Sequence, residues 1–249
     1  MSGHSKWSTI KRKKGKMDAK RGRIFTRLIK EITVSARASG GDPDSNPRLR
    51  TAITTAKSEN MPNENIERAI KKGTGELPGT RYEETHFEAY GPGGVAILIE
   101  ALTDNKNRTT ADIRHILTHY GGSLGETGSV TWIFQQKGLI HLEKDDIDED
   151  KLLEISLDGG AEDVLLQGDI YEITVDSLNF ENVKTLLEKG KYKILKAEIT
   201  KAPQSSVQIS DKKSAEKILN LMEALEEQED IQNIYSNFDI PDEILEKIA

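Results

Sequence analysis

No cysteine occurs among the 249 residues, which excludes disulfides, zinc–thiolate centres and thiol nucleophiles and fits a reducing compartment. The five histidines, His4, His86, His115, His119 and His141, show no metal-ligand spacing. Long apolar runs are also missing. Nothing approaches the roughly 18 residues that a bilayer span needs, and no apolar stretch follows the basic start as a secretory signal requires. The expectation is a cytoplasmic chain with no membrane partner. Aromatic residues are scarce at 5%, whereas hydrophobic residues make up 35% and charged residues 31%, a balance that fits ordinary cores under a heavily charged surface. At about 100 to 200 residues per domain, the length points to two or three compact units.

The net charge of -7 conceals an asymmetry. Residues 1–75 hold 18 Lys and Arg against 7 Asp and Glu, so the remainder is strongly acidic. Residues 1–30 alone carry eleven cations and one acid, Asp18. Such a polarised chain presents its head to a polyanion and turns an acidic body away from it, leaving that body for a protein partner.

From Asp18 the pattern becomes helical, with Phe25, Leu28, Ile29 and Ile32 on one stripe and Gly40-Gly41 as the end. A second helix starts at Asn46-Pro47, burying Leu49, Ile53 and Ala56, and stops before Pro62. The third takes Asn63 as its cap, Ile66, Ala69 and Ile70 as its buried face and Gly73 as its stop. A polar linker, Thr74 to Thr85, precedes a hairpin in which HFEAY turns through Gly91–Gly94 into the apolar, central VAILIEAL. A helix near Thr109 to Tyr120, the glycine-rich GGSLGETGS and a strand VTWIF follow, with Trp132 and Phe134 expected in the core. After Gln135 the order restarts as β-α-β-β-α-β, the ferredoxin-like unit. The fold class is therefore α+β: a basic arm and three-helix bundle (1–78), a discontinuous α/β middle domain (79–135 and 202–249) and an inserted ferredoxin-like domain (136–201).

The basic arm is the strongest candidate site. Lys6, Trp7, Lys11, Arg12, Lys13, Lys14, Lys16, Lys20, Arg21, Arg23 and Arg27 are the predicted nucleic-acid contacts, with Gly3, Gly15 and Gly22 keeping the segment adaptable. A protein that neutralises about six duplex phosphates loses on the order of 10³ in affinity between roughly 50 and 200 mM salt, and eleven cations can supply that many contacts. The competing readings are a solvated tail and a targeting peptide; Trp7 and His4 offer rings for stacking, and Trp7 equally suits packing on the bundle. A second candidate, TDNKNRT, places Asn105, Lys106, Asn107 and Arg108 at a helix N-terminus, where a phosphate or a partner binds well. The alternative there is an ordinary turn capped by Asn107 or Thr109. The glycines of GGSLGETGS lead from helix into strand, the reverse of a nucleotide loop, and read as tight turns, on a rim that a partner would face. The acidic run Asp145 to Asp150 reads as a solvated helix start rather than a magnesium site. No catalytic constellation and no cofactor motif is present in the spacing, so the chain reads as non-enzymatic.

GHSKWSTIKRKK, PNENIERAIKKGTGE, YGPGGVAILIEALTDNKNRT and GGSLGETGSVTWIF, in this order, resemble the YebC/PmpR family, and the likeness continues to NIYSNFDIP. The resemblance implies a helical N-terminal domain with two α/β domains around an open cleft. It also implies a DNA-binding transcriptional regulator, while related members, including the mitochondrial translational activators of cytochrome oxidase, act on translation at the ribosome. Sequence-specific DNA reading calls for a recognition helix, for which the segment from Pro47 to Asn60 with Arg48, Arg50 and Lys57 is the best candidate, although it shows no helix-turn-helix. Ribosomal RNA asks only for shape and phosphate recognition. An adaptable basic arm suits RNA slightly better than duplex DNA, whereas the resemblance to the family implies DNA first.

Overall fold

The apolar stripe of the first helix, α1 (Asp18–Ser39), packs on α2 (Pro47–Ser58) and α3 (Asn63–Thr74) around buried Ile32, Leu49, Ala56 and Ile66. These elements come from a computed structural model, which describes residues 18–145, 147–246 and 248. The predicted contacts Lys6, Trp7, Lys11, Arg12, Lys13, Lys14 and Lys16, together with the side chain of Lys20, lie outside the described residues. Asn46 caps α2 by accepting from Leu49 N at 3.1 Å. Its amide also donates to Ser35 O and Gly40 O at 2.9 and 2.8 Å, so one buried side chain joins the end of α1 to the start of α2.

Two helix-end expectations need correction. Pro62, not Asn63, occupies the cap position of α3, and the helix runs past Gly73 to end at left-handed Gly75, φ +87°. Gly73 serves close approach instead: a Cβ there would lie 2.5 Å from Thr33 O and 2.7 Å from Ala36 Cβ of α1. Of the predicted face of α2, Leu49 and Ala56 are buried and Ile53 is partly so, with Ala52 also inside.

Strands β1 (Glu83–Tyr90) and β2 (Ala96–Thr103) form the expected hairpin, with Tyr90 opposite Ala96 and Glu83 opposite Thr103. Gly93 and Gly94 take positive φ in the connecting turn, a conformation costly for any residue with a Cβ. With β3 (Ser123–Leu124) and β9 (Ile231–Ser236) they make an antiparallel sheet in the order β3-β1-β2-β9, so the most apolar strand is interior. Helices α4 (Lys106–His119) and α7 (Lys212–Glu227) contribute Ile113, Leu117, Ile218 and Leu221 to the same core as Ile97 and Ile99. A short parallel pair, β8 (Val207–Gln208) and β10 (Phe238–Asp239), and the helix α8 (Asp242–Glu246) complete this part.

The remaining elements are β4 (Phe134–Glu143), α5 (Glu149–Asp158), β5 (Ala161–Gln167), β6 (Ile170–Asp176), α6 (Phe180–Lys189) and β7 (Ile194–Pro203). Their antiparallel sheet runs β5-β6-β4-β7, the ferredoxin-like order, over a core that includes Ile140, Leu152, Ile173 and Val183. VTWIF is not a separate strand. Thr131–Ile133 is a 3-10 turn and Phe134 already belongs to β4, because β7 pairs with β4 as far as Phe134 opposite Pro203. Phe134 is buried as expected, but Trp132 is 68% exposed.

By internal contacts the chain divides into two units, Trp132–Gln204 and the combination of Met1–Thr131 with Ser205–Ala249. The ends of the inner unit meet, with Gln204 N donating to Ile133 O at 2.8 Å. We propose that this segment is an autonomous insertion. Replacing residues 132–204 by a short glycine-serine linker should leave a protein that still unfolds cooperatively in denaturant; a broad, non-cooperative transition would count against it.

Candidate nucleic-acid interface

Arg23, Arg27 and Lys30 recur at i, i+4 and i+7 on one face of α1, and that face meets the C-terminal end of α7, from half-exposed Arg23 to buried Lys30. Arg23 pairs with Glu227 at 3.1 Å, and Arg27 donates to the carbonyl of Glu226. Lys30 Nζ donates to Asp230 Oδ1 at 2.6 Å and to Glu229 O at 3.0 Å, and sits 5.5 Å from the Tyr82 ring centroid. The last carbonyls of a helix carry partial negative charge, so the cations satisfy both those carbonyls and the acids beside them. Arg21 lies over the Phe25 ring at 5.3 Å and stays exposed.

Asp230 gathers the TDNKNRT segment as well. Its Oδ2 accepts from Thr109 Oγ1 at 2.7 Å and from Arg108 at 3.0 Å, while Arg108 also reaches Asp104 at 2.8 Å. Thr109 Oγ1 in turn accepts from the Thr103 hydroxyl at 2.7 Å. Burial alone would raise the Asp230 pKa, yet the hydrogen bonds from Lys30, Thr109 and Arg108 outweigh it and hold the carboxyl well below the usual range. The cap of α4 is Asn105, whose Oδ1 accepts from Arg108 N at 3.1 Å, and not Asn107 or Thr109. Thus Asn105 and Arg108 are built into the turn, while Lys106 and Asn107 are exposed.

Around this network lies an open cleft of about 530 Å³ whose lining includes Asp104, Asp112, Glu227, Glu229 and Asp230 beside Lys30 and Arg108. Its lining is therefore richer in carboxylates than in cations, which disfavours a phosphate chain. The candidate recognition helix is likewise committed. Arg48 is held by Glu31 and Glu84, both at 2.6 Å, and Arg50 donates to Pro43 O and Asp44 O at 3.0 and 3.2 Å.

Glu88, a solvent position by the alternation of its strand, instead faces inward. It is 8% exposed. Its carboxylate accepts from the backbone N–H of Gly128, Val130 and Thr131 at 2.6, 2.6 and 2.8 Å, and Gly125 N donates to its carbonyl at 2.7 Å. Tyr90 OH donates to Ser129 O at 3.1 Å. The glycine-rich loop does cradle an anion, but that anion is the protein's own carboxylate. Burial pushes the Glu88 pKa up, and the backbone donors more than reverse this, leaving it lowered. In the acidic run, Asp148 caps α5, accepting from Lys151 N at 3.3 Å. Among the described residues no helix is long and apolar enough to cross a membrane.

Comparison with known proteins places this architecture. The family model for the TACO1/YebC protein N-terminal domain matches residues 5–76, and that for the TACO1/YebC second and third domain matches residues 82–238. The chain belongs to the TACO1/YebC family. A TACO1/YebC relative from Desulforapulum autotrophicum is 58% identical over 98% of each chain, and one from Syntrophobacter fumaroxidans is 56% identical over 100% of each. Both bear the name "probable transcriptional regulatory protein". The crystal structure of a conserved hypothetical protein from Aquifex aeolicus superposes with a TM-score of 0.78 at 49% identity, covering 91% of this chain and 93% of that one.

Removing either buried carboxylate tests the network. Asp230→Asn leaves Lys30 without its counter-charge and should cost about 3–5 kcal/mol in denaturant unfolding. Because the folded Asp230 pKa is depressed, its contribution is complete above the unfolded value near 4 and is lost as pH falls through the folded value. An unfolding midpoint that is the same in the wild type and Asp230→Asn would refute this. Glu88→Gln should cost about 1–3 kcal/mol and raise hydrogen exchange at Gly128, Val130 and Thr131; unchanged protection there would show that the loop holds itself.

Proposed function

We propose that this protein is a non-enzymatic, nucleic-acid-binding regulator of gene expression that grips phosphates with its basic N-terminal segment. The observation that carries this reading is the concentration of eleven cations against one acid in residues 1–30 of a chain with net charge -7. The names of the relatives, probable transcriptional regulatory proteins, support a regulatory role. Lys6, Trp7, Lys11, Arg12, Lys13, Lys14, Lys16, Lys20 and Arg21 form the grip. Arg23 and Arg27 add their charge from the α7 junction, and Lys106 and Asn107 form a secondary contact. No cofactor is involved, the site of action is the cytoplasm, and the acidic α/β surface is left for a protein partner.

Duplex DNA read by base edges and ribosomal RNA read by shape make different demands. The first needs arginines free to reach the major groove, whereas Arg48 and Arg50 of α2, exposed on the surface, are paired with Glu31, Glu84 and the backbone of Pro43 and Asp44. Phosphate and shape recognition, as in structured RNA, is therefore the reading that the geometry favours, on the same scaffold as the transcriptional one.

Neutralising Lys11, Arg12, Lys13 and Lys14 together should weaken binding and reduce the salt slope by about 3 to 4. Unchanged affinity near physiological salt (~150 mM) would overturn the arm as the grip. Competition between ribosomes and duplex DNA for the labelled chain across a salt series separates the two polyanions.

A further inference from the structure

Three stretches of chain bring cations together at the end of the bundle where α1 and α3 stop. Arg37 stands in the last turn of α1, Lys71 and Lys72 in the last turn of α3, and Arg81 in the linker that follows. The linker is tied to both helix ends. Leu77 N donates to Lys71 O at 3.1 Å, and the Arg37 guanidinium donates to Thr80 O at 3.4 Å. A Cβ on Gly79 would lie 3.0 Å from Lys72 Cβ, so glycine lets the linker run close along that stem and half-bury it. Arg37, Lys71 and Arg81 are exposed. Elsewhere in the bundle Arg23, Lys30, Arg48 and Arg68 each pair with an acid. Among the described residues, none of these four cations has a carboxylate partner.

We infer that Arg37, Lys71, Lys72 and Arg81 form a second phosphate grip, which holds the backbone of a nucleic-acid duplex. The inference rests on the nucleic-acid reading above and deepens it, because none of these residues belongs to the arm. Lysines in a last helical turn complement its free carbonyls, which accounts for Lys71 and Lys72 taken alone. It does not account for Arg81, which lies beyond both helices. From Lys71 to Arg81 the chain holds three cations against one acid, Glu76, and that carboxylate accepts from Thr74 Oγ1 at 3.0 Å. A protein partner fits less well, since protein interfaces bury an apolar centre and the large apolar side chain exposed beside this patch is Leu77. The 22 residues of α1 span about 33 Å, with the arm joined to its start and the patch at its end. That length matches about ten base pairs of duplex. One polyanion held at both points gains from both.

The test uses the full-length chain with RNA and DNA duplexes of about twenty base pairs, long enough to pass both ends of α1. Lys71→Gln, Lys72→Gln and Arg81→Gln made together should reduce the salt slope by about 2 to 3 and weaken binding at least roughly tenfold at about 150 mM salt. The denaturant midpoint should stay at the wild-type value, since these side chains lie at the surface. Lys71→Arg, Lys72→Arg and Arg81→Lys together keep the charge and should keep the slope. Lys189→Gln, Lys213→Gln and Lys217→Gln remove as much charge from exposed positions on α6 and α7 and should leave the slope nearly unchanged. A loss on either duplex supports the grip, and the duplex that loses more is the one it fits. Equal slopes for the patch variant and wild type, or equal losses for the patch and α6–α7 variants, overturn the grip while the arm hypothesis stands. A wild type that binds neither duplex at low salt overturns the regulator reading, and the grip with it.

Discussion

Lys30 and Asp230 meet at 2.6 Å with side chains 8% and 5% exposed, two hundred residues apart in sequence. A charge pair this dry holds only if every remaining donor and acceptor is satisfied. The surroundings meet that demand: Glu229 O takes a second Lys30 proton, and Thr109 and Arg108 complete the carboxylate. The three-helix bundle, the start of α4 and the α7–β9 turn are therefore positioned by one carboxylate. Arg27 and Arg23, one and two turns earlier on α1, extend the same junction along the C-terminal end of α7.

This junction changes what the basic head means. Part of the positive charge that marks the N-terminal region is consumed in folding, and the cleft beside it is lined by carboxylates. On the reading proposed above, attraction for a polyanion is then concentrated at the arm, while the acidic body sets the direction of approach. An orientation of this kind follows from charge segregation and needs no base-reading helix, consistent with the paired state of Arg48 and Arg50.

Glu88 plays a second organising role of the same physical type. A buried carboxylate collects three backbone N–H groups and orders a glycine-rich stretch that would otherwise lack partners. With those N–H groups taken by Glu88, the loop's donors are already satisfied by the protein's own carboxylate.

The sequence by itself determined the elements whose causes are local. The i, i+3, i+4 stripe of α1, the Asn46 cap with Pro47, the glycine turn of the hairpin and the β-α-β-β-α-β order are all set by neighbours a few residues apart. The charge polarity and the family resemblance were legible for the same reason, since both are properties of the chain as written. Tertiary structure alone decided which cations remain free, why Gly73 must be glycine, that Glu88 faces inward and that Trp132 faces out. Periodicity tells which face of an element is apolar but not what lies against it. Ion pairs between residues 30 and 230, or hydrogen bonds between residues 88 and 130, depend on elements brought together only when the sheets and helices close around their cores.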